Sequence, residues 1–345
     1  MNLTDLGWRQ FFVQQLSIEA LEMTPARIVH VARSQVDTLS EAGRLSVELP
    51  LAWQRLDAQD RPTIGDWILL DDSNELADRL ERFSLFKRKA AGERAEIQLI
   101  GANIDTLFVV SSCNVDFNPS RIERYLALAL DNEVDPVVVL TKADLAASEA
   151  YVETAQALRP GLDVIALDAT RSSVVDALAP WCRSGQTVAL VGSSGVGKST
   201  LVNSLLGQAV QATGAIREDD AKGRHTTTAR SLHLLPGGGM VLDSPGMREL
   251  KLADVRDGID ALFDDIDTIA RGCRFNDCGH DTEPGCAVQA ALAAGQIDER
   301  RFANFQKLLR EEAHNSMTLH ERHQKFRAWG KATKAQLKAT DKRKR

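Results

Sequence analysis

The segment from Gly192 to Ser199 carries the residue types of a phosphate-binding loop. It reads GSSGVGKS and matches in full the pattern GxxxxGK followed by Ser or Thr. Glycines let backbone N–H groups turn toward phosphate oxygens, Lys198 neutralises the β and γ oxygens, and the Ser199 hydroxyl is a ligand for Mg²⁺. An apolar run lies before the loop and a helix-period segment after it. The predicted nucleotide-binding residues here are Gly192, Ser193, Ser194, Gly195, Val196, Gly197, Lys198, Ser199 and Thr200.

Two downstream segments have the composition of nucleotide-dependent switches. Asp243 to Gly246 reads DSPG and fits DxxG, in which the carboxylate holds Mg²⁺ through water and the glycine N–H reaches the γ-phosphate. The stretch GRHTTT precedes it, and one of its threonines would bind Mg²⁺ and the γ-phosphate and release them on hydrolysis. Thr226, Thr227 and Thr228 are all candidates, and we favour Thr228. The predicted Mg²⁺ ligands are therefore Ser199, Thr228 and Asp243.

The run Thr141, Lys142, Ala143 and Asp144 is similar to the guanine-reading motif NKxD. In that motif the carboxylate pairs with two guanine hydrogens that adenine does not offer, while the lysine stem lies over the ring. Thr141 replaces asparagine, and its hydroxyl can replace part of the amide's bonding, so we expect a modestly lower guanine affinity. A second base-supporting motif near Ile165 to Leu167 is degenerate. An ATP-using P-loop enzyme is the alternative, and Asp144 disfavours it.

The order of these motifs is unusual. In Ras-like proteins the phosphate loop comes first and NKxD comes late, whereas here Asp144 precedes Lys198. This order predicts a circularly permuted P-loop domain. In such a chain DxxG lies directly before the next domain, so switch motion could pull on whatever follows Leu250.

Four potential metal ligands follow within fourteen residues: Cys273, Cys278, His280 and Cys286. Three thiolates and one imidazole complete a tetrahedral Zn²⁺ site with no open position, which predicts one structural zinc per chain. The alternative is a set of unligated core cysteines beside a surface histidine. In a reducing compartment the clustering favours a metal over disulfides.

The rest of the chain indicates the scaffold. Its 345 residues, 43% hydrophobic and 26% charged, predict two or three globular domains. Short alternating runs from Pro25 to about Ile97 indicate a small β-barrel, and from Asn103 apolar runs alternate with helical segments, which indicates a parallel sheet covered on both faces. The apolar runs are too short to span a membrane, and the N-terminus does not resemble a secretory signal. We therefore expect a cytoplasmic protein with no membrane partner.

Charge is unevenly distributed along the chain. The net charge is −6, but the segment from Thr318 to Arg345 has ten Lys and Arg against two acids, a net of +8 that leaves −14 on the remainder. A basic arm on an acidic body can steer toward phosphate backbones, and a solvated tail is the equally simple interpretation. A second basic cluster is either a binding edge or a solvated strand edge: Arg82, Lys87, Arg88, Lys89 and Arg94.

The set TKAD, GSSGVGKST, GRHTTT, DSPG and CRFNDCGHDTEPGCAV resembles the ribosome small-subunit-dependent GTPase A family of bacteria. The resemblance covers essentially the whole chain. It implies a multidomain α/β protein with an N-terminal arm (1–24), an OB-fold β-barrel (25–100), a circularly permuted GTPase domain (101–255) and a zinc-binding helical domain with a basic tail (256–345). The implied activity is hydrolysis of GTP to GDP during late maturation of the small ribosomal subunit. The expected partners are that subunit and its rRNA, and we expect a monomer.

The identity of the catalytic residue stays open on sequence grounds. Ras-like enzymes carry a glutamine after DxxG that positions the attacking water, but this chain has Met247, which cannot do so. The family resemblance makes His225 the candidate substitute, and a histidine that merely contacts the ribosome is the competing interpretation. Met247 also supports a different class of function, a nucleotide-gated RNA-binding module with negligible turnover.

Overall fold

The computed structural model describes residues 1–89, 97–207, 231–243 and 255–316. Within these ranges no helix is both long and apolar enough to cross a bilayer. Three sections follow one another along the chain: an antiparallel N-terminal sheet, a mainly parallel sheet with helices, and a helical C-terminal section. These sections agree with the predicted fold class, while the exact domain boundaries stay a prediction.

The N-terminal section is an antiparallel sheet with its own core. Its strands are β1 (Thr24–Val31), β2 (Gln35–Ser40), β3 (Gly43–Glu48), β4 (Trp67–Leu70) and β5 (Leu76–Arg79). They pair in the order β3-β2-β1-β4-β5, with the short helix α2 (Leu51–Gln54) after β3. Alternate apolar side chains fill one cluster: Ala26, Ile28, Val36, Val47, Leu49, Ile68, Leu70 and Leu76. The pairings among the described strands give an open sheet, so closure into an OB-type barrel stays a prediction.

A separate hairpin links this section to the next. Strands β6 (Leu85–Lys89) and β7 (Ile97–Ala102) pair with each other in a two-stranded antiparallel sheet. Gly65 lies against the end of this hairpin, because a Cβ on Gly65 would come within 2.0 Å of the Ala102 carbonyl oxygen. This close approach fixes the hairpin against the loop that leads into β4.

The central section is the predicted parallel sheet. Strands β8 (Thr106–Ser112), β9 (Asp135–Thr141), β10 (Asp163–Ala166), β11 (Thr187–Val191) and β13 (Met240–Asp243) run parallel, and β12 (Ser231–Leu234) is antiparallel to β13. The spatial order is β10-β9-β8-β11-β13-β12. Strands β8, β9 and β10 thus precede β11 in the chain but lie on one side of it, while β13 and β12 lie on the other.

Helices cover both faces of the central sheet: α3 (Pro119–Asp131), α4 (Glu149–Gln156), α5 (Ser173–Leu178) and α6 (Lys198–Leu206). Successive residues of β8 point to opposite faces. Leu107 and Val109 therefore belong to one apolar cluster, and Phe108 and Val110 belong to the other. Burial on both faces explains why this strand is apolar at every step rather than at alternate positions.

The first residues of the chain pack against the N-terminal section and against the start of the central section. Helix α1 covers only Gln10–Val13, followed by a 3-10 turn at Glu19–Glu22. Phe12 is fully buried, and Arg9 forms an ion pair with Asp105 at 2.7 Å, directly before β8. The sheets themselves meet where His30 of β1 pairs with Ser231 of β12, which makes them one continuous sheet.

The C-terminal section packs on the face of the central sheet that α3 covers. Its helices are α7 (Arg256–Leu262), α8 (Asp264–Ala270), α9 (Ala287–Ala293) and α10 (Glu299–Ser316). Gly258 allows α7 to approach α3 closely, since a Cβ there would lie 2.0 Å from the Ala127 carbonyl oxygen. Phe263 and Phe305 pack with ring centroids 5.3 Å apart and join α10 to the end of α7. The basic segment from residue 318 onward lies outside the described residues.

One residue of the second basic cluster, Arg82, has a clear structural role. Arg82 forms a forked ion pair with Asp66, with both nitrogen–oxygen distances at 2.7 Å, and the Asp66 side chain is fully buried. Arg82 is therefore part of the N-terminal core rather than of a binding edge or a solvated edge. Lys87 is exposed, while Arg94 and the side chains of Arg88 and Lys89 lie outside the described residues.

Candidate nucleotide site and metal centre

The phosphate loop joins β11 to α6, as its pattern requires. Gly192, Gly195 and Gly197 have φ values of 143°, 78° and 96°, a region that L side chains rarely adopt. A Cβ on Gly192 would lie 2.2 Å from the Val110 carbonyl oxygen, so the loop packs directly on β8. Only glycine permits both features. The loop ends at the N-terminus of α6, where free backbone N–H groups and the helix dipole favour an anion.

The side chains that follow the loop are placed for phosphate and metal chemistry. The Lys198 ammonium group donates to the carbonyl oxygen of Gly192 at 2.6 Å and also to that of Ser193, so its charge is held at the loop. Ser199 and Thr200 occupy the first turn of α6 and are half-buried. Ser194 and Gly195 are exposed at the tip of the loop. The loop therefore offers a cation, backbone donors and a hydroxyl in one short segment.

Thr141 connects the base-reading segment to the phosphate loop. Strand β9 ends at Thr141, whose fully buried hydroxyl lies 2.6 Å from the Val196 carbonyl oxygen and 3.1 Å from that of Ser111. Its single hydrogen can serve one of these oxygens at a time. The hydroxyl thus faces the protein backbone. In this arrangement the Thr141 hydroxyl joins the end of β9 to β8 and to the phosphate loop.

The next residues turn outward from the sheet. Lys142 has a φ of 58°, in the left-handed region, and Asp144 is exposed at the mouth of the site. The Ala143 N–H donates to the Leu167 carbonyl oxygen at 3.3 Å. The segment that ends β10, where the sequence has only a degenerate base-supporting motif, is therefore bonded directly to the TKAD loop.

Asp243 completes this edge of the sheet. It is the last residue of β13, which runs parallel to β11, so the carboxyl ends of β8, β9, β11 and β13 meet at one edge. Ligands of open α/β sheets bind at that edge. Asp243 is half-buried. Three other predicted site residues, His225, Thr228 and Gly246, lie outside the described residues.

Arg121 is a site residue that sequence reasoning missed. It lies in the first turn of α3, and its Nη1 donates to the Ser193 hydroxyl at 2.6 Å. Helix α3 starts in a well-defined way, with Asn118 accepting a hydrogen bond from the Arg121 N–H and Pro119 in the first turn. The signal available in the sequence was the position of Arg121, on the first helical turn after a strand that ends at the ligand edge.

The four predicted metal ligands come together. The candidate ligand atoms of Cys273, Cys278, His280 and Cys286 all lie within 4.8 Å of one another. His280 Nδ1 is 3.5 Å from both the Cys273 and Cys286 sulfurs, and those sulfurs are 3.8 Å apart. His280 itself has a left-handed φ of 58°. The chain therefore folds into a compact Cys₃His donor set that fits a metal ion.

The close spacing of the cluster's sulfurs shifts the pKa values of its thiols in opposite directions. Although desolvation opposes it, the backbone N–H groups of Val288 and Ala287 hold the pKa of Cys273 below its usual value. The pKa of Cys278 shifts the other way: a backbone N–H from His280 lowers it, but burial and the neighbouring sulfurs raise it to about 11. Several thiolates cannot share so small a space without a positive charge between them.

Nearby groups hold the ligands in place. Gln289 donates its side-chain amide to the His280 carbonyl oxygen at 2.6 Å and its backbone N–H to the Cys286 sulfur at 3.4 Å. The Glu283 carboxylate accepts the backbone N–H groups of Gly279 and Asp281 at 2.9 Å each. Such contacts orient the first set of ligands and are part of the site.

Comparison with known proteins identifies the family of the chain. A family profile described as RsgA GTPase matches residues 79–253. The chain is 51% identical over 332 residues to the small ribosomal subunit biogenesis GTPase RsgA 2 of Vibrio vulnificus, covering 96% of this chain and 93% of that protein. It is 51% identical over 320 residues to the small ribosomal subunit biogenesis GTPase RsgA of Mesorhizobium japonicum, covering 91% of each.

Solved structures agree on the fold. The crystal structure of YjeQ from Thermotoga maritima aligns with a TM-score of 0.62 at 24% identity, covering 84% of this chain and 98% of that one. YloQ, described as a circularly permuted GTPase, aligns with a TM-score of 0.60 at 20% identity, covering 88% of this chain and 99% of that one. The strand order, the permuted motifs and these similarities lead to one conclusion: the chain belongs to the RsgA GTPase family.

Proposed function

We propose that this protein is a GTPase that binds the small ribosomal subunit and assists its late maturation, hydrolysing GTP to GDP and phosphate. The observation that carries the proposal is the contact between the base-reading segment and the phosphate loop, Thr141 Oγ1 to the Val196 carbonyl oxygen at 2.6 Å. This contact would align the two halves of a guanine-nucleotide site at the ligand edge of the sheet. The relatives of the chain carry the name small ribosomal subunit biogenesis GTPase.

Each part of the site has a proposed role. Backbone N–H groups of Gly192 to Ser199 and the Lys198 ammonium group would bind the phosphates, and Asp144 would pair with the guanine edge while the Lys142 stem lies over the ring. Mg²⁺ would be held by Ser199, Thr228 and Asp243, and Gly246 would contact the γ-phosphate. Mg²⁺ would supply charge neutralisation at the phosphates during hydrolysis. The exposure of Asp144 supports its role, because a base must reach it.

The catalytic step is assigned to His225. Met247 follows the DxxG segment and offers no hydrogen bond to water, so another residue must orient the nucleophile. His225 lies in the polar stretch between the two phosphate-binding motifs. Binding to the ribosomal subunit would bring the histidine to the γ-phosphate, so we expect slow hydrolysis in the free protein and faster hydrolysis on the ribosome.

The metal of the Cys₃His cluster is proposed to be a single structural Zn²⁺. Sulfur ligands about 2.3 Å from a tetrahedral centre lie about 3.8 Å from one another, and a sulfur and an imidazole nitrogen lie about 3.5 Å apart. The distances of 3.8 Å between Cys273 and Cys286 and 3.5 Å from each to His280 match those values. Four protein ligands leave no position for substrate, so the ion would stabilise the C-terminal section.

Binding to rRNA is assigned to the N-terminal sheet and the basic C-terminus. The proposed domains are the arm (1–24), an OB-type barrel (25–100), the GTPase domain (101–255) and the zinc-binding domain with its tail (256–345). The tail supplies a net charge of +8, which suits a phosphate backbone. We further propose that the protein works as a monomer in the cytoplasm.

The test is phosphate release from GTP by the full-length protein, with and without purified small ribosomal subunits. The expected result is slow release alone and strong stimulation by the subunit. His225→Ala should lose most of the stimulated rate and keep its GTP affinity, while His314→Ala, at an exposed position on α10, should behave as the parent. No stimulation of the parent would contradict the proposed function. Full stimulation of the His225→Ala protein would overturn only the assignment of the catalytic residue.

A further inference from the structure

Helix α3 contacts the phosphate loop and the C-terminal section at the same time. Arg121, in its first turn, donates to the Ser193 hydroxyl of the phosphate loop at 2.6 Å. Glu123 comes two residues later and so points to the opposite side of the helix. Its carboxylate is fully buried and is bonded to residues of α10. One short helical segment therefore has a nucleotide-binding loop on one side and a different domain on the other.

The bonds to Glu123 are numerous and specific. Arg300 donates to both carboxylate oxygens, at 2.9 and 3.1 Å, and Arg301 donates to one of them at 3.2 Å. Asn304 donates to the other at 2.6 Å. A buried carboxylate with this many partners is held in one geometry, because any displacement leaves charge without compensation in a medium of low dielectric. We call Glu123, Arg300, Arg301 and Asn304 the α3–α10 clamp.

The clamp is itself tied into the C-terminal section. Arg301 also donates to the Asp265 carboxylate at 2.8 Å and to the Leu262 carbonyl oxygen at 2.9 Å, which connects it to α7 and α8. Gly258 also packs closely on Ala127, where a Cβ would lie 2.0 Å from the carbonyl oxygen. Helix α3, which carries Arg121, is therefore joined to the C-terminal helices at several points.

We propose that Glu123 is a positioning residue: the α3–α10 clamp sets the position of α3 at which Arg121 braces Ser193, and so couples nucleotide release to the state of the C-terminal domain. The inference rests on the proposed guanine-nucleotide site. It is independent of the switch segments, because every residue it uses lies on α3, on the phosphate loop or on the C-terminal helices α7, α8 and α10. Coupling of this kind is reciprocal, so nucleotide binding would also change the stability of the C-terminal helices.

The experiment is a double-mutant cycle on the full-length protein with its metal bound. The dissociation rate of a fluorescent GDP analogue is measured by displacement for the parent, Glu123→Gln, Ser193→Ala and the double variant. If the clamp acts through Arg121 and Ser193, each single change should raise the rate by about threefold or more, and the double variant should be no faster than the faster single one. If the two changes act independently, their fold-increases in the dissociation rate should instead multiply in the double variant.

Three further variants make the result interpretable. Arg310→Gln removes an exposed arginine from the same helix, where it bonds the Gln306 carbonyl oxygen, and should leave the rate unchanged. If Glu123→Gln does not fold, Arg300→Gln replaces it, since Arg300 is 41% exposed and its loss is better tolerated. Arg300→Lys keeps the charge and should restore part of the parent rate.

The outcomes separate the two levels of the proposal. A parent protein that binds no guanine nucleotide would refute both the proposed function and the coupling. A parent that binds GDP normally, with Glu123→Gln and Ser193→Ala effects that multiply, would leave the function intact and refute the coupling. An unchanged dissociation rate in a folded Glu123→Gln protein would refute it equally.

Discussion

Thr141→Val tests whether the end of β9 holds the phosphate loop in place. The hydroxyl is fully buried, 2.6 Å from the Val196 carbonyl oxygen and 3.1 Å from the Ser111 carbonyl oxygen. Valine keeps the shape but leaves a buried acceptor without a donor, which costs about 1–3 kcal/mol. We expect the free energy of unfolding to fall by that amount, measured by urea denaturation with the metal bound.

The Thr141→Val change should also weaken nucleotide binding, because the Val196 carbonyl oxygen that loses its donor lies inside the phosphate loop. About 1.4 kcal/mol corresponds to a tenfold change in a dissociation constant, so we expect the Kd for GDP to rise about five- to tenfold. The assay is titration with a fluorescent GDP analogue. Thr141→Ser keeps the hydroxyl and should retain most of the affinity.

The matched control is Thr38→Val in the N-terminal sheet. Thr38 is also fully buried, and its hydroxyl donates to the Leu45 carbonyl oxygen at 3.1 Å, far from the phosphate loop in the sheet order. It should lose stability and keep its affinity for GDP. The reasoning is refuted if Thr141→Val binds GDP as tightly as the parent, or if Thr38→Val loses affinity to the same extent.

Three other changes test separate parts of the molecule. Asp144→Asn should shift nucleotide preference from guanine toward xanthine, because the amide reverses one hydrogen bond at the base edge. Competition binding with GTP and XTP measures this preference, and unchanged GTP selectivity would show that Asp144 does not read the base. Cys278→Ser should lower the zinc content below one equivalent per chain, and the C-terminal helices should unfold under conditions in which GDP binding is still intact. Metal analysis and calorimetry follow these two effects, and a parent protein without zinc would contradict the prediction. Arg82→Gln leaves the buried Asp66 carboxylate without its forked partner and should lower the free energy of unfolding by about 3–5 kcal/mol, whereas a loss below about 1 kcal/mol would show that water compensates.

Local patterns in the sequence determined much of the site and its scaffold. The strands Thr187–Val191 and Met240–Asp243 lie where continuous apolar runs predict them, because a strand buried on both faces needs such a run. The phosphate loop and the Cys₃His cluster were also predictable, since their chemistry depends on residues close together in the chain. The motif order predicted a permuted P-loop fold, and the similarity to the fold of YloQ confirms it, while the family profile shows the GTPase family. In the N-terminal arm the α-helix covers only Gln10–Val13, and the buried Phe12 ring packs on Trp67 and Phe83.

The tertiary structure alone decided which distant residues meet. Thr141 bonds Val196 across 55 positions, and Arg300 bonds Glu123 across 177, although neither spacing belongs to any local period. Arg82 was one of the five residues of the second basic cluster, and only the fold shows that it neutralises Asp66 inside the N-terminal core. The physical reason is the same in each case. A motif depends on the chemistry of residues that are close together in the chain. A buried polar pair depends on how whole helices and strands pack, because packing brings together groups that are far apart in the chain.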